Sequence, residues 1–160
     1  MMRIGIAGTQ STEIIAKSVK ETLSDSGFES FHFKNNSKTL TADLVIVLGG
    51  DRGVRNYFHH ALDVDTPVLG ISESESNAFL AQIELKELSM YLKRIKEQNY
   101  IIENVPRIGV KIDGKNVYPV LNDVAVFTSK SATLMEHVLR INDEEVWHDS
   151  SDGVIISTPI

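Results

Sequence analysis

The stretch Asp43-Leu44-Val45-Ile46-Val47-Leu48-Gly49-Gly50-Asp51-Arg52-Gly53 decides how this chain folds. Asp43 to Leu48 is a nearly continuous aliphatic run, the pattern of a central parallel strand covered on both faces. Gly49 and Gly50 break the strand, and Val54 to Leu62 reads as a helix. Toward the amino end, Met2 to Ala7 reads as a short buried strand ending in the turn Gly8-Thr9-Gln10-Ser11. Ser11 to Ser26 places Ile14, Ile15, Val19 and Leu23 near helical spacing. Ser11 is its expected cap, Glu13 sits in its first turn, and Gly27 closes it. Phe28 to Phe33 alternates like a strand. Toward the carboxyl end, Thr66 to Ile71 is another buried strand, followed by the polar loop Ser72 to Asn77. A helix from about Leu85 to Lys96 carries Leu85, Leu88, Leu92 and Ile95 as a core stripe.

Strands alternating with helices as far as about Lys96 indicate an α/β fold with a parallel, Rossmann-like sheet. The pattern changes near Asn99. Tyr100 to Glu103, Arg107 to Ile112 and Val117 to Phe127 are candidate strands, and Asp113-Gly114-Lys115-Asn116 is a hairpin turn signal. Leu134 to Arg140 and Glu145 to His148 flank a second turn at Asn142-Asp143, and a further strand begins at Val154. No internal repeat or low-complexity stretch interrupts the chain. The expected organisation is an α/β nucleotide-phosphate domain over residues 1–98. Part of an antiparallel β-rich domain then follows over 99–160, incomplete because Val154 to Ile160 ends on an apolar strand.

Composition narrows the function. The chain has 160 residues, 42% hydrophobic and 24% charged, the range of a soluble globular protein. A net charge of −6 argues against a general nucleic-acid binder. Phosphates would have to be bound locally, by backbone amides and a few placed cations. Zero cysteines exclude disulfides and thiolate zinc sites and fit a reducing cytoplasm. No apolar run approaches the ~20 residues a membrane helix requires. The first strand begins almost at Met1, so no signal peptide is expected. The five histidines, His32, His59, His60, His137 and His148, show no metal-ligand spacing.

The Gly49-Gly50-Asp51 turn is the best chemical signal, since parallel sheets bind ligands outside the carboxyl ends of their strands. Two glycines let the backbone approach a phosphate, and the following helix can aim its amino end at it. Asp51 admits two readings: a helix cap in a tight turn, or a carboxylate serving a metal-linked phosphate or a hydroxyl that must lose its proton.

Val45-Ile46-Val47-Leu48-Gly49-Gly50-Asp51 resembles the strand and Gly-Gly-Asp-Gly motif of NAD kinases and their diacylglycerol-kinase relatives. Thr66-Pro67-Val68-Leu69-Gly70-Ile71 resembles the family's Pro-Val-Leu-Gly-Ile strand, which precedes a loop ending in Phe-Leu, here Phe79-Leu80. Leu121-Asn122-Asp123-Val124 is similar to its Leu-Asn-Glu-Val segment. Asp152-Gly153-Val154-Ile155-Ile156-Ser157-Thr158-Pro159 is similar to the stretch that favours NAD kinases over lipid kinases. The resemblance implies phosphoryl transfer from ATP or polyphosphate, with Mg2+, to the 2′-hydroxyl of NAD, in a cytoplasmic homo-oligomer. It also implies Asp51 as the catalytic carboxylate and Gly49 and Gly50 as backbone contacts to the phosphoryl group. Asn122, Asp123, Asp152 and Phe79 would then bind NAD, although core packing is an equal reading of Phe79.

Four departures qualify it: the sequence stops at Ile160, before the family's Gly-Ser-Thr-Ala-Tyr segment, Asp123 is a methylene shorter than the family's glutamate, and two more lie at the site itself. Arg52 stands where the family has its last glycine; it either strains the turn or, with Arg55 a helical turn away, supplies phosphate-binding cations. The loop 72–77 brings two glutamates to a segment that the family fills with Asn and Gly. These departures leave open a kinase for a lipid or sugar alcohol, or a catalytically weakened dinucleotide sensor.

Overall fold

The computed structural model describes residues 2–33, 41–60, 65–73 and 78–158. Five strands form one wholly parallel sheet: β1 (Arg3–Ala7), β2 (Glu29–His32), β3 (Leu44–Leu48), β4 (Val68–Ser72) and β5 (Ile83–Glu84), in the order β2-β1-β3-β4-β5. Among the described residues three α-helices cover it: α1 (Glu13–Asp25), α2 (Gly50–His60) and α3 (Leu88–Lys96). The β3 run explains why two layers of helix are needed. Leu44, Ile46 and Leu48 enter one core with Val19, Leu23, Leu88 and Leu92, from α1 and α3. Val45 and Val47 enter the other with Val54 and Tyr57 of α2. Burying each such side chain contributes about 1.5–3 kcal/mol, so β3 anchors both faces.

Helix ends differ from the sequence expectation in detail. A turn of 3-10 helix, Gln10–Thr12, precedes α1. Thr12, not Ser11, organises it: its hydroxyl accepts from the Thr9 amide at 3.0 Å and donates to the Thr9 carbonyl at 2.9 Å. The Ser11 hydroxyl pairs with that of Thr9 at 2.7 Å instead. At the other end, Phe28 and Gly27 donate to the carbonyls of Leu23 and Ser24, the bond pair of a Schellman closure. The α2 helix begins at Gly50, four residues before the expected start, so Asp51 lies in its first turn. Its expected last residues, 61 and 62, lie outside the described residues.

Beyond α3 the chain is β-rich and antiparallel. Short strands β6 (Lys111–Ile112) and β7 (Lys115–Asn116) flank Asp113-Gly114. The strand β8 (Asp123–Phe127) pairs with β11 (Gly153–Ser157), and β9 (Met135–Ile141) with β10 (Glu144–Ser151). Both residues of the 142–143 turn have positive φ, 51° and 67°, as a two-residue hairpin with right-handed strand twist requires. Three candidate strands are corrected. Tyr100 to Glu103 forms no strand; it crosses from α3 with Ile101 95% exposed, and no ladder partner lies beside it among the described residues. Arg107 to Ile112 retains only β6 and an isolated Ile108–Val120 bridge. Val117 to Phe127 narrows to β8, because Leu121 turns away to fill the core under α2.

Candidate functional site

The order β2-β1-β3-β4-β5 reverses direction between β1 and β3, and a parallel sheet opens a crevice outside the carboxyl ends of its strands at such a point. A cleft of about 820 Å³ lies there. The exit of β1 contributes Thr9, Ser11 and Thr12, and the exit of β3 contributes Leu48, Gly49, Arg52 and Gly53. The far wall is Val120, Leu121, Asn122 and Asp123, and Glu73 follows β4.

The Gly-Gly turn is built by backbone conformation. Gly49 and Gly50 have φ of 99° and 62°, values that side-chain-bearing residues seldom adopt. Arg52 is not among the positive-φ residues, so the strain anticipated for it is absent. The close approach falls one residue later, where a Cβ on Gly53 would meet the carbonyl oxygen of Leu48. The amino end of α2 is thus brought against the end of β3 and opens on the cleft, the arrangement that attracts anions. Arg52 and Arg55 are exposed side chains on its lining.

Asp51 is engaged in a way no local pattern announces. Its Oδ2 accepts the amide of Phe79 at 2.9 Å, and its Oδ1 accepts those of Leu80 and Ala81 at 2.8 and 2.9 Å. Burial pushes the Asp51 carboxyl up, but the three amides and the positive charge of Arg55 outweigh it and hold the group below the ordinary carboxylate value. A carboxylate has about four lone-pair positions, and these bonds use three. One acceptor position remains on Oδ2.

The last two sequence motifs meet. Thr158 donates its amide to the Asn122 carbonyl at 2.8 Å and its hydroxyl to the Leu121 carbonyl at 2.9 Å, fixing the backbone from which Asn122 faces the cleft. Asn122 Oδ1 is buried without a hydrogen-bond partner, which makes it an acceptor that a ligand donor would satisfy. Pro159 lies outside the described residues, as do 74–77 of the acidic loop.

The structure therefore gathers Gly49, Arg52, Arg55, Asn122 and Asp123 on one cleft. Asp51 and Gly50 lie in the same turn behind it. Phe79 does not line this cleft; the residue is 70% exposed, on the lining of a second groove under the 98–107 crossing. Asp152 is exposed on the turn between β10 and β11, away from the lining. Thr9 and Ser11 come from the Gly8 to Ser11 turn, whose sequence reading is a plain turn with phosphate contact as the lesser alternative, and Glu73 from the acidic loop, while sequence reading passes over Asn56 and His59 as lining residues. For Asn56 and His59 the signal existed, since with Arg52 they share a helical face.

Known proteins agree with this architecture. Residues 9–100 match the family model described as the ATP-NAD kinase N-terminal domain. The NAD kinase of Methanospirillum hungatei is 34% identical over 117 residues, 73% of this chain and 42% of that protein. The NAD kinase of Clostridium perfringens is 37% identical over 134 residues, 80% of this chain and 48% of that one. The chain spans about half the length of the curated relatives it matches. Among solved structures, an NAD kinase from Archaeoglobus fulgidus in complex with ATP superposes with a TM-score of 0.77 at 23% identity, covering 98% of this chain and 60% of that one. Yeast NADH kinase complexed with NADH gives 0.69 at 15% identity, covering 99% and 58%. At those identities the two structures speak for the fold.

Proposed function

Since the chain belongs to the ATP-NAD kinase family through its N-terminal domain, we propose that it works in transferring a phosphoryl group from ATP or polyphosphate to the 2′-hydroxyl of NAD's adenosine ribose, giving NADP. The observation that carries this reading is the buried, unpartnered Oδ1 of Asn122 on the same cleft as the Gly49-Gly50 turn. An acceptor awaiting a hydroxyl thus faces an amino-terminal helix turn suited to phosphate.

On this reading the donor phosphates lie against the first turn of α2, with Arg52 and Arg55 countering their charge. The acceptor ribose lies toward Asn122 and Asp123. The one free lone-pair position of Asp51 is assigned to the attacking hydroxyl. A carboxylate held at low pKa is a weak proton acceptor but a fixed one. That suits a loose phosphoryl transition state, in which positioning and electrostatics supply most of the catalysis. Among the described residues no three His, Asp or Glu side chains form a metal cage. Mg2+ would therefore arrive with the donor phosphates, and Glu73 and Asp123 are the cleft carboxylates able to meet it. Its contribution is to neutralise phosphate charge.

Phe79 and Asp152 are assigned to parts of the dinucleotide outside the cleft. The division at residue 98 is likewise proposed, with residues 1–98 carrying the donor site and 99–160 opening the NAD-binding part. The zero cysteines fit a cytoplasmic setting. Among the described residues no helix is long and apolar enough to cross a membrane. Exposed strand residues such as Val138, Trp147 and Ile155 fit assembly into a homo-oligomer.

The test is NADP formation from NAD and magnesium-ATP by the longest native polypeptide containing this sequence. NADP that disappears with Asp51→Asn supports the reading. Retained NAD binding without any NADP would replace it with a dinucleotide sensor, and full activity of Asp51→Asn would remove Asp51 from catalysis.

A further inference from the structure

The strand β4 carries one residue without a side chain, Gly70, between Leu69 and Ile71. Its backbone is not left-handed, so the glycine provides room rather than an unusual conformation. That room is taken from two sides. A methyl at position 70 would lie 2.6 Å from Cγ2 of Val54, 2.9 Å from Cα of Ala81 and 3.0 Å from the carbonyl oxygen of Leu80. Ordinary contact between carbon atoms needs ~3.5–4.0 Å.

These neighbours belong to the two segments that Asp51 joins. Val54 stands three residues after Asp51, one turn along the same side of α2, and is buried. Leu80 and Ala81 donate the amides that Asp51 Oδ1 accepts at 2.8 and 2.9 Å. The helix cannot swing aside, because Gly53 seats it on the Leu48 carbonyl and Tyr57 is buried in the same core as Val54. The strand is held as well, paired with β3 from Val68 to Ile71. Backbone 80–81 is the part left to give, and its retreat would draw two N–H groups off the carboxylate. Gly70 lines the second groove and not the cleft, so any effect it has on the cleft passes through another residue.

We infer that Gly70 is a positioning residue for Asp51: its missing side chain lets α2 and backbone 80–81 close over β4, and that closeness fixes the direction of the carboxylate. The acceptor position left on Oδ2 is aimed because Oδ1 is pinned twice by backbone resting on Gly70. This inference rests on reading Asp51 as the carboxylate that meets the attacking hydroxyl.

The test uses the longest native polypeptide containing this sequence. Two readouts are independent of turnover: the Asp51 carboxyl titration by carbon-detected NMR, and hydrogen exchange at Leu80 and Ala81. In Gly70→Ala the carboxyl should titrate closer to its ordinary value of 3.8, and exchange at both amides should quicken about tenfold. Turnover, kcat, should fall on the order of 10²-fold with donor KM nearly unchanged, the signature of a misaimed group. Val54→Ala opens the same contact from the helix side and needs no extra room. It should move the same signals in the same direction, and it carries the test should Gly70→Ala not fold. Combined, the two substitutions refill the gap and should restore most of the wild-type titration and kcat. Leu69→Ala is the control: Leu69 packs into the opposite core, so its loss weakens β4 without touching the contact.

Unmoved carboxyl and amide signals in both single variants overturn the inference. So does Leu69→Ala moving them equally, which would reduce Gly70 to general stability, or a double variant no closer to wild type than either single one. Signals that move while kcat holds would keep Gly70 as the support of the carboxylate and remove Asp51 from the chemistry. A fall in kcat with unmoved signals would do the reverse.

Discussion

Leu80 donates its backbone N–H to Oδ1 of Asp51 at 2.8 Å, joining residues 29 apart in sequence. With Phe79 and Ala81 on the same carboxylate, the first turn of α2 is tied to the segment that leads into β5. The residue assigned to the chemistry is therefore also a clasp between two loops of the sheet.

Replacing Asp51 by Asn should disturb both roles. An amide nitrogen would face at least one of the three N–H donors, leaving it without an acceptor. A stability loss on the order of 1 kcal/mol is expected for these part-exposed groups. Hydrogen exchange at 79–81 should accelerate, and NADP formation should fall by on the order of 10²-fold or more. Unchanged exchange at these amides would show that the clasp is dispensable.

The carboxyl of Asp51 should titrate below its unfolded value of 3.8. A depressed carboxyl stabilises the fold at pH above the unfolded value, and that contribution disappears as pH falls through the lower folded value. Protection of the Leu80 amide should accordingly survive acidification to pH 3.8 and vanish below it. Carbon-detected NMR of the carboxyl, read beside amide exchange, checks this; a midpoint at or above 3.8 contradicts it.

Gly53→Ala should cost about 1–3 kcal/mol, because its Cβ would press on the Leu48 carbonyl and force α2 off the sheet. Arg52→Gly should leave the turn standing and instead weaken donor binding by about tenfold, the loss of one charged contact. Thermal melts and donor KM values distinguish the two. A gain in turnover for Arg52→Gly would mark the arginine as an impediment.

Leu121→Ala should cost about 2–5 kcal/mol, as Leu121 is 4% exposed and fills the core among Val45, Val47, Val54 and Tyr57. It also carries the backbone next to Asn122, so NAD affinity should fall along with stability. Denaturant unfolding and NAD titration measure both. A loss below 1 kcal/mol would mean that the β-rich part contributes little to this core.

Much of the α/β half is legible in the sequence, because β1, β3 and β4 are aliphatic runs bounded by Gly, Pro or Ser, and β2 shows by alternation, whereas the two-residue β5 leaves no such signal. The β3 run and the Leu88–Leu92 stripe announce their burial directly. Less regular segments resist. Val117 to Leu121 has strand composition, yet Leu121 is recruited by a core more than 60 residues upstream. For the candidate site, the Gly-Gly turn is visible because it interrupts a strand at its carboxyl end. Asp51's partners are not, since backbone amides of Phe79, Leu80 and Ala81 leave no trace in side-chain identity. Thr9 and Ser11 join the cleft only because β1 and β3 are neighbours in the sheet, a fact of topology.

The tight seat of α2 on β3 has a consequence for how such a site changes over generations. Contact with the sheet rests on Gly53, and the unusual backbone angles rest on Gly49 and Gly50. Position 52 bears neither burden. A lineage can therefore exchange the side chain there, small or large, neutral or cationic, without endangering the foldability of its descendants. Choice of co-substrate is left free to drift on a scaffold that stays the same.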